Sequence, residues 1–479
     1  MAITDTIADY FGFEEHNTDL RTEVIAGLTT FLTMSYIVVV NPAILNLAID
    51  VPGRTDAQTF QMIAVVTMIS AAIATLVMAF YANRPFAQAP GLGLNAFFAF
   101  TVVLGLGVPW QTALAAVVVE GILFIALTAV GAREFIIGLF PEPVKFAVGT
   151  GIGLFLAIIG LEAMRVVAGD AATFVSFNPV FAADPIAIIS AVGLFVTFAL
   201  YARGVRGSII LGIILTTVAG YVAHAMGYRA LPAEQVPDGT TLAAGSLVGS
   251  TQVTYSAAGY DITPLVGAFV QGFQNVDALA FSLIVFTFFF VDFFDTAGTL
   301  TGVAQVAGFL DEDGDLPDID KPLMADAVGT TAGGILGTST VTTYIESATG
   351  VEEGGRTGMT ALVVALLFLA SLALVPLAAA VPLYASHIAL VVVAVLMLRN
   401  IADVQWDKIS HAVPAGLTIL VMPFTFSIAY GIAAGIISYP LVKAATGEAR
   451  DVHAGQWILA ALFVFYFFVR TSGLLAGQL

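Results

Sequence analysis

The sequence predicts an all-α polytopic membrane protein, and three observations carry that prediction. Of 479 residues, 59% are hydrophobic and only 10% are charged, against roughly 25% charged in an average soluble domain. The mean hydropathy is +0.96. A soluble globule must cover itself with polar groups and cannot hide that much apolar surface. The apolar residues also fall into runs close to the length, about 20 residues, that a helix needs to cross the hydrocarbon core. An ordinary cytosolic enzyme, a disordered chain and a fibrous protein are thereby excluded.

The elements follow in order. The first 20 residues carry Asp5, Asp9, Glu14, Glu15 and Asp19 and no basic n-region, so no cleaved signal is expected there. Spans are predicted over 21–44, 60–82, 110–131, 143–167, 184–203 and 207–228. An interrupted piece, Pro85–Gly105, lies between the second and third of these. A polar, turn-rich stretch at 229–279 reads as an external loop or hairpin. Further spans fall at 280–307, 322–337, 358–379 and 384–399. Residues 413–446 carry Pro423 and Pro440 and read either as one bent helix or as two short ones. A last run covers 456–474. With the N-terminus inside, Arg84, Arg133, Arg203, Arg206, Lys321, Arg399 and Lys408 fall on the inner side and Arg54, Arg165 and Arg229 outside. That bias follows the positive-inside rule.

The net charge is −18, with 16 basic residues. Nucleic acid is therefore not expected as a partner, because phosphate binding needs clustered basic groups. The acidic run Asp311-Glu312-Asp313-Gly314-Asp315 resembles the start of a calcium loop, but Pro317 intrudes and Pro322 stands at the twelfth position. It reads as a solvated loop. Cysteine is absent, which removes disulfides, thiolate metal sites and thiol catalysis. His16, His224, His387, His411 and His453 show no ligand spacing on a helix, so no metal site is expected. No cofactor is expected either.

Two segments break the membrane pattern in corresponding places. One is Gln88–Phe98, with Pro90, Gly91 and Gly93. The other is Gly333–Gly350, with the run Thr338-Ser339-Thr340-Val341-Thr342-Thr343. Paired interruptions in two halves point to a transporter site built from inverted repeats. Unwound backbone at membrane depth is tolerated only inside protein or around a polar cavity. The competing reading is close helix packing through glycine.

Ionisable residues within spans are expensive and usually functional. Asp292 and Asp295 lie three residues apart, as neighbours on one helix surface, with no basic residue near them in sequence. Such buried acids tend to pick up a proton, which suits a proton-coupled carrier. The alternative is a structural hydrogen-bonding role. Glu346 opens a short helix after the threonine run, as a site residue or a helix cap. Glu120 sits mid-span, as a structural partner of the breaks or a proton carrier. Asp326 is read as structural, at a span edge. Phe97, Phe98, Phe293 and Phe294 flank the breaks, where a flat substrate could stack on one of them, although for each ring taken singly ordinary packing is the favoured reading.

The motifs together resemble the azaguanine-type purine permeases of the nucleobase/ascorbate transporter superfamily. The resemblance runs from Thr22–Met34 and Val40–Leu45 through Ala89–Phe98. It is strongest in Asp292–Leu300 and Gly337–Ser347. It implies fourteen segments as two inverted seven-segment repeats, a core domain and a gate domain, and short strands in the third and tenth segments. The implied division is 1–20 as cytoplasmic segment, 21–131 and 280–379 as core, 132–228 and 380–479 as gate, and 229–279 as external loop. Asp295 matches the substrate-binding acid of the eighth segment and Glu346 that of the tenth. Asp292 lies a turn earlier and does not match. Asn95 matches the polar residue after the third-segment break, with Gly93 allowing close approach.

The expected function is import of adenine, guanine or hypoxanthine by proton symport across the plasma membrane. Asp295, Glu346, Asn95, Gly93, Phe97, Phe294, Thr343 and Tyr344 are the expected substrate contacts. Asp295, Glu346, Asp292 and Glu120 are the expected proton-coupling residues. Backbone N–H groups around Gly93–Asn95 and Thr342–Tyr344 are expected to meet acceptors on the base. A homodimer through the gate follows by analogy only. The alternatives are sodium-coupled uptake, an anion carrier of the sulfate or bicarbonate type, and an intramembrane aspartyl enzyme. The last needs its acids on separate facing segments, whereas Asp292 and Asp295 share one helix.

Overall fold

The computed structural model describes residues 3–132, 139–170, 174–232, 235, 246–249, 255, 257–274, 276, 278–310 and 316–472. The acidic run 311–315 and Arg133 lie outside the described residues. Ten described helices are long and apolar enough to cross a membrane, and three shorter apolar helices accompany them. The chain is a polytopic, mostly helical membrane protein.

A short helix α1 (Ile3–Phe11) precedes the first span, which consists of α2 (Leu20–Met34) and α3 (Ile37–Leu45). Asp19 starts α2 by accepting the Thr22 N–H at 2.8 Å. That N–H holds the Asp19 carboxyl below its usual range. Helix α4 (Asp56–Val77) opens with a capping box between Thr55 and Gln58. It widens into a π-helical turn, Met78–Ala82, and stops at Asn83 in the left-handed region. The first interruption follows as strand β1 (Gln88–Pro90) and helix α5 (Leu92–Ala96), which continues as a π-helix over Phe97–Gly105. Helices α6 (Trp110–Ala129), α7 (Glu142–Ala163), α8 (Pro185–Ala202) and α9 (Ser208–Ala225) complete the first half.

The second half begins with α10 (Ala278–Ala307) and α11 (Asp320–Leu336). Helix α11 ends at Gly337, whose φ is +99° and whose missing Cβ leaves room for the Leu265 backbone. The second interruption is strand β4 (Val341–Thr343) and helix α12 (Ser347–Glu352). Helices α13 (Gly358–Ala378), α14 (Leu383–Asp403), α15 (Ile409–Thr425), α16 (Ile428–Ala445) and α17 (Ala454–Thr471) follow.

Residues 413–446 therefore fold as two helices. Phe426 reverses the chain with φ +52°, three residues past the helix-weakening Pro423. Gly431 and Gly435 let α16 lie directly on Met422 and Thr418 of α15. Two further features were not expected. Residues after α7 form an antiparallel hairpin, β2 (Val167–Asp170) with β3 (Phe174–Phe177). The described part of 229–279 also folds onto the bundle. The turn Ala268–Phe273 packs on α6, where Thr112 Oγ1 donates to Gly272 O at 3.1 Å.

The helices fall into two packed groups. In one, α2 lies along α12 and α13, and α11 lies against α4 and α6. In the other, α7 lies against α14, α15 and α16, and α8 pairs with α9. The groups meet where Gly93 of α5 abuts Ile152 of α7 and Ile428 of α16. The Thr101 hydroxyl donates to Phe426 O there, at 3.1 Å.

Candidate functional site

The two interruptions meet. Strand β1 pairs antiparallel with β4, Gln88 opposite Thr343 and Pro90 opposite Val341. The ladder is extended by Gly91 N–H donating to Thr340 O (3.0 Å) and Tyr344 N–H donating to Ala87 O (2.9 Å). All six strand residues are buried. Backbone groups at this depth have no water, so each strand satisfies the other.

The hydroxyl run then fastens the crossing to its surroundings, nearly one helix per residue. Thr338 accepts from Asn41 Nδ2 of α3 at 3.0 Å. Ser339 donates to Asn95 Oδ1 of α5. Thr340 faces Glu120 Oε2 of α6 at 3.5 Å. Thr342 shares a 3.0 Å hydrogen bond with Thr296 of α10. Thr343 donates to the Gln88 amide oxygen at 3.2 Å. On α12, Ser347 accepts from Ala87 N–H and Thr349 pairs with Thr33 of α2, each at 3.0 Å. Alternation along the strand sends Thr342 and Thr343 to opposite sides.

Acids surround this crossing. Asp295 and Glu346 are partly exposed, and lie within Coulombic reach of each other and of Tyr344. A Cβ on Gly91 would stand 3.5 Å from Asp295 Oδ2 and 2.8 Å from Thr342 Cγ2. Gly91 thus brings the first break close to the eighth-segment acid. The neighbouring Gly298 and Ile345 are exposed, so this side of α10 and α12 opens outward from the packed interior. Behind it, Asp292, Asp326 and Glu120 are fully buried. Thr296 donates toward Asp292 Oδ1 (3.1 Å) and Asp326 Oδ2 (3.0 Å). Glu120 lies within reach of both aspartates. Among the described residues, no basic side chain forms an ion pair with Asp295, Glu346 or Glu120.

The expected site residues divide by placement. Asp295, Glu346, Tyr344, Asn95 and Gly93 gather around the crossing. Glu346 stands at the start of α12 but its side chain makes no capping bond. Its Oε1 instead accepts from Tyr36 Oη at 2.5 Å. Asn95 is held by Ser339 and reaches Pro90 O at 3.4 Å. The Tyr344 hydroxyl donates to Pro90 O at 2.5 Å. The Thr343 side chain turns away, toward Gln88. Phe97 and Phe294 are both buried in ring clusters, Phe97 edge-on to Phe288 and Phe294 edge-on to Phe140.

The Thr343 and Tyr344 N–H groups differ from expectation. The first donates to the Asp326 side chain, at Oδ1, and the second to Ala87 O in the strand ladder, because a buried N–H takes the acceptor within its reach. Three residues emerge that sequence reasoning missed or underrated. Asp326 is fully buried within α11 and accepts from Thr296 and from the Thr343 N–H. Tyr36 sits in the middle of the first span, an unusual depth for a tyrosine, which belongs at interfaces. Glu23 is fully buried, and accepts from Arg356 N–H (2.9 Å), Thr360 N–H (3.1 Å) and Thr360 Oγ1 (2.6 Å). It ties α2 to the start of α13.

A family model described as "Permease family", for xanthine/uracil permeases, matches residues 21–434. The protein MJ0326 of Methanocaldococcus jannaschii is 43% identical, over 98% of this chain and 99% of its own length. The guanine/hypoxanthine permease PbuO of Bacillus subtilis is 39% identical over 96% of this chain and 100% of its own. The adenine permease AdeP of Escherichia coli is 38% identical over 95% and 94%. Among solved structures, the transmembrane domain of the cyanobacterial bicarbonate transporter BicA shares the fold. It gives a TM-score of 0.59 at 14% identity, covering 87% of this chain and 97% of that one. The murine Slc26a9 anion transporter aligns at a TM-score of 0.56 and 12% identity, over 89% and 68%. The strand crossing, the motifs and the full-length match agree: the chain belongs to the xanthine/uracil permease family, as an azaguanine-type member of the nucleobase/ascorbate transporter superfamily.

Proposed function

We propose that this permease imports purine nucleobases by proton symport across the plasma membrane, with its N-terminus in the cytoplasm. The observation that carries the reading is the pair Asp295 and Glu346. Both are partly exposed acids at the crossing of the two interruptions, and neither forms an ion pair among the described residues. A purine ring carries N–H donors on separated edges, and two carboxylates are acceptors that match them. The adenine and guanine/hypoxanthine permeases among the relatives support the same substrate class.

Uncompensated negative charge at membrane depth is costly. Donors on the base and a bound proton would both offset it. That couples purine entry to proton entry, with Asp292 and Glu120 as the inner members of the coupling group and Asp295 and Glu346 as the outer ones. Gly93 allows close approach, and Asn95 and Tyr344 shape the polar floor beside it. Phe97 and Phe294 give the apolar surround, and Thr343 braces the strand beneath. Residues 21–131 and 280–379 act as a core that carries the site. Residues 132–228 and 380–479 act as the gate it moves against. An anion carrier is the weaker reading: the fold is shared with anion transporters, but two carboxylates facing the site, Asp295 and Glu346, repel an anion.

Asp295→Asn and Glu346→Gln test the reading. Each should lower purine accumulation in proteoliposomes at least a hundredfold while the protein still inserts and purifies as a folded species. Normal accumulation by both variants would overturn it.

A further inference from the structure

We propose that Tyr36 is a positioning residue for Glu346, fixing the orientation in which that carboxylate meets the purine. The inference rests on the reading of Glu346 as a substrate acid. Tyr36 lies where α2 gives way to α3. There the Val38 and Val39 N–H groups donate to Ser35 O and Tyr36 O, three residues back. This tightened turn swings the Tyr36 ring off the line of α2. The ring is 1% exposed, and its hydroxyl donates to Glu346 Oε1 at 2.5 Å.

The bond reaches Glu346 at a point where little else holds it. Its side chain makes no capping bond and no ion pair among the described residues. Below it, α12 is held firmly to the same span. Thr33 pairs with Thr349 at 3.0 Å, and Gly350 leaves room for Thr30 and the Ala26 carbonyl. The backbone carrying Glu346 is therefore fixed by α2, and Tyr36 fixes the rotamer. With Oε1 engaged, Oε2 is the oxygen left to accept from substrate. A glutamate otherwise free about three side-chain torsions is pre-set, which lowers the entropy lost on binding.

The test is a double-mutant cycle on equilibrium binding of radiolabelled adenine, guanine and hypoxanthine to the purified full chain. Tyr36→Phe keeps the ring and its packing and removes only the donor. It should weaken binding roughly tenfold, the scale of a hydrogen bond to a charged group. Glu346→Gln should weaken it more, and the double variant no further than Glu346→Gln alone. Glu346→Asp, which draws the carboxylate back from an intact Tyr36, should also weaken binding and should make Tyr36→Phe silent. Thr33→Val is the structural control: it loosens the same helix pair and should lower the melting temperature with little change in affinity. Independent, multiplying losses from Tyr36→Phe and Glu346→Gln would overturn the inference and leave Glu346 as a substrate acid. Unchanged binding in Tyr36→Phe would do the same. Undiminished binding in Glu346→Gln would instead overturn the site reading on which it rests.

Discussion

Gly93→Ala adds one methyl where the two helix groups touch. The new Cβ would stand 2.9 Å from Ile152 Cγ2, 3.6 Å from Ile152 Cδ1 and 3.7 Å from Ile428 Cδ1. Carbon atoms rest at about 3.5–4.0 Å, so the first contact is too short by more than half an ångström. Cγ2 is fixed to a β-branched carbon on α7 and cannot swing aside alone. Overpacking of this kind costs about 1–3 kcal/mol, which biases the chain about 5- to 150-fold against the arrangement in which α5 lies on α7 and α16. Initial uptake rates in proteoliposomes and melting in detergent measure the effect. Gly93→Ala should depress both, and Ile152→Ala in the same chain should restore part of the loss, with a coupling of about 0.5–3 kcal/mol. Losses that simply add, or a Gly93→Ala protein that transports and melts normally, would refute the packing argument. A glycine needed only for substrate approach would not be rescued from α7.

Three other predictions concern buried polar groups. Glu23→Gln puts an amide N–H₂ against backbone donors on one side of the cluster, and should destabilise the protein by about 2–4 kcal/mol, read as a lower melting temperature. Arg165 and Asp184 form a buried pair at 3.2 Å that joins the end of α7 to the start of α8. Arg165→Met alone should destabilise by about 3–5 kcal/mol, and Arg165→Met with Asp184→Leu should recover most of that. Asp326→Asn keeps an oxygen for the Thr343 N–H but alters the bond to Thr296. Purine uptake should fall at least tenfold with little loss of folded protein, and normal uptake would return Asp326 to a purely structural role.

How far the site could be read from sequence depended on the physics involved. Pro90, Gly91 and the hydroxyl run broke an apolar pattern, and β1 and β4 lie at those breaks. The spans were legible because apolar runs of membrane length have one outcome in lipid. Asp326 was underrated because Asp320 and Lys321, immediately upstream, drew the apparent span edge toward it. Three-dimensional packing buries it instead against Thr296 and the Thr343 N–H. Tyr36 and Glu23 were missed because their partners, Glu346 and Thr360, are more than 300 residues away in sequence. No local pattern encodes such a pair. The hairpin at Phe426 was ambiguous because a proline can either kink or end a helix. The left-handed residue that settles it carries an ordinary side chain.

The central claim is tested most directly by uptake of radiolabelled adenine, guanine, hypoxanthine, xanthine and uracil into proteoliposomes, with and without an imposed pH gradient. The account predicts that a purine accumulates only when the gradient is present, and that excess unlabelled purine, but not bicarbonate or sulfate, competes. Accumulation independent of the pH gradient and driven by sodium would contradict proton coupling. No uptake of any base by folded, inserted protein would contradict the assignment itself.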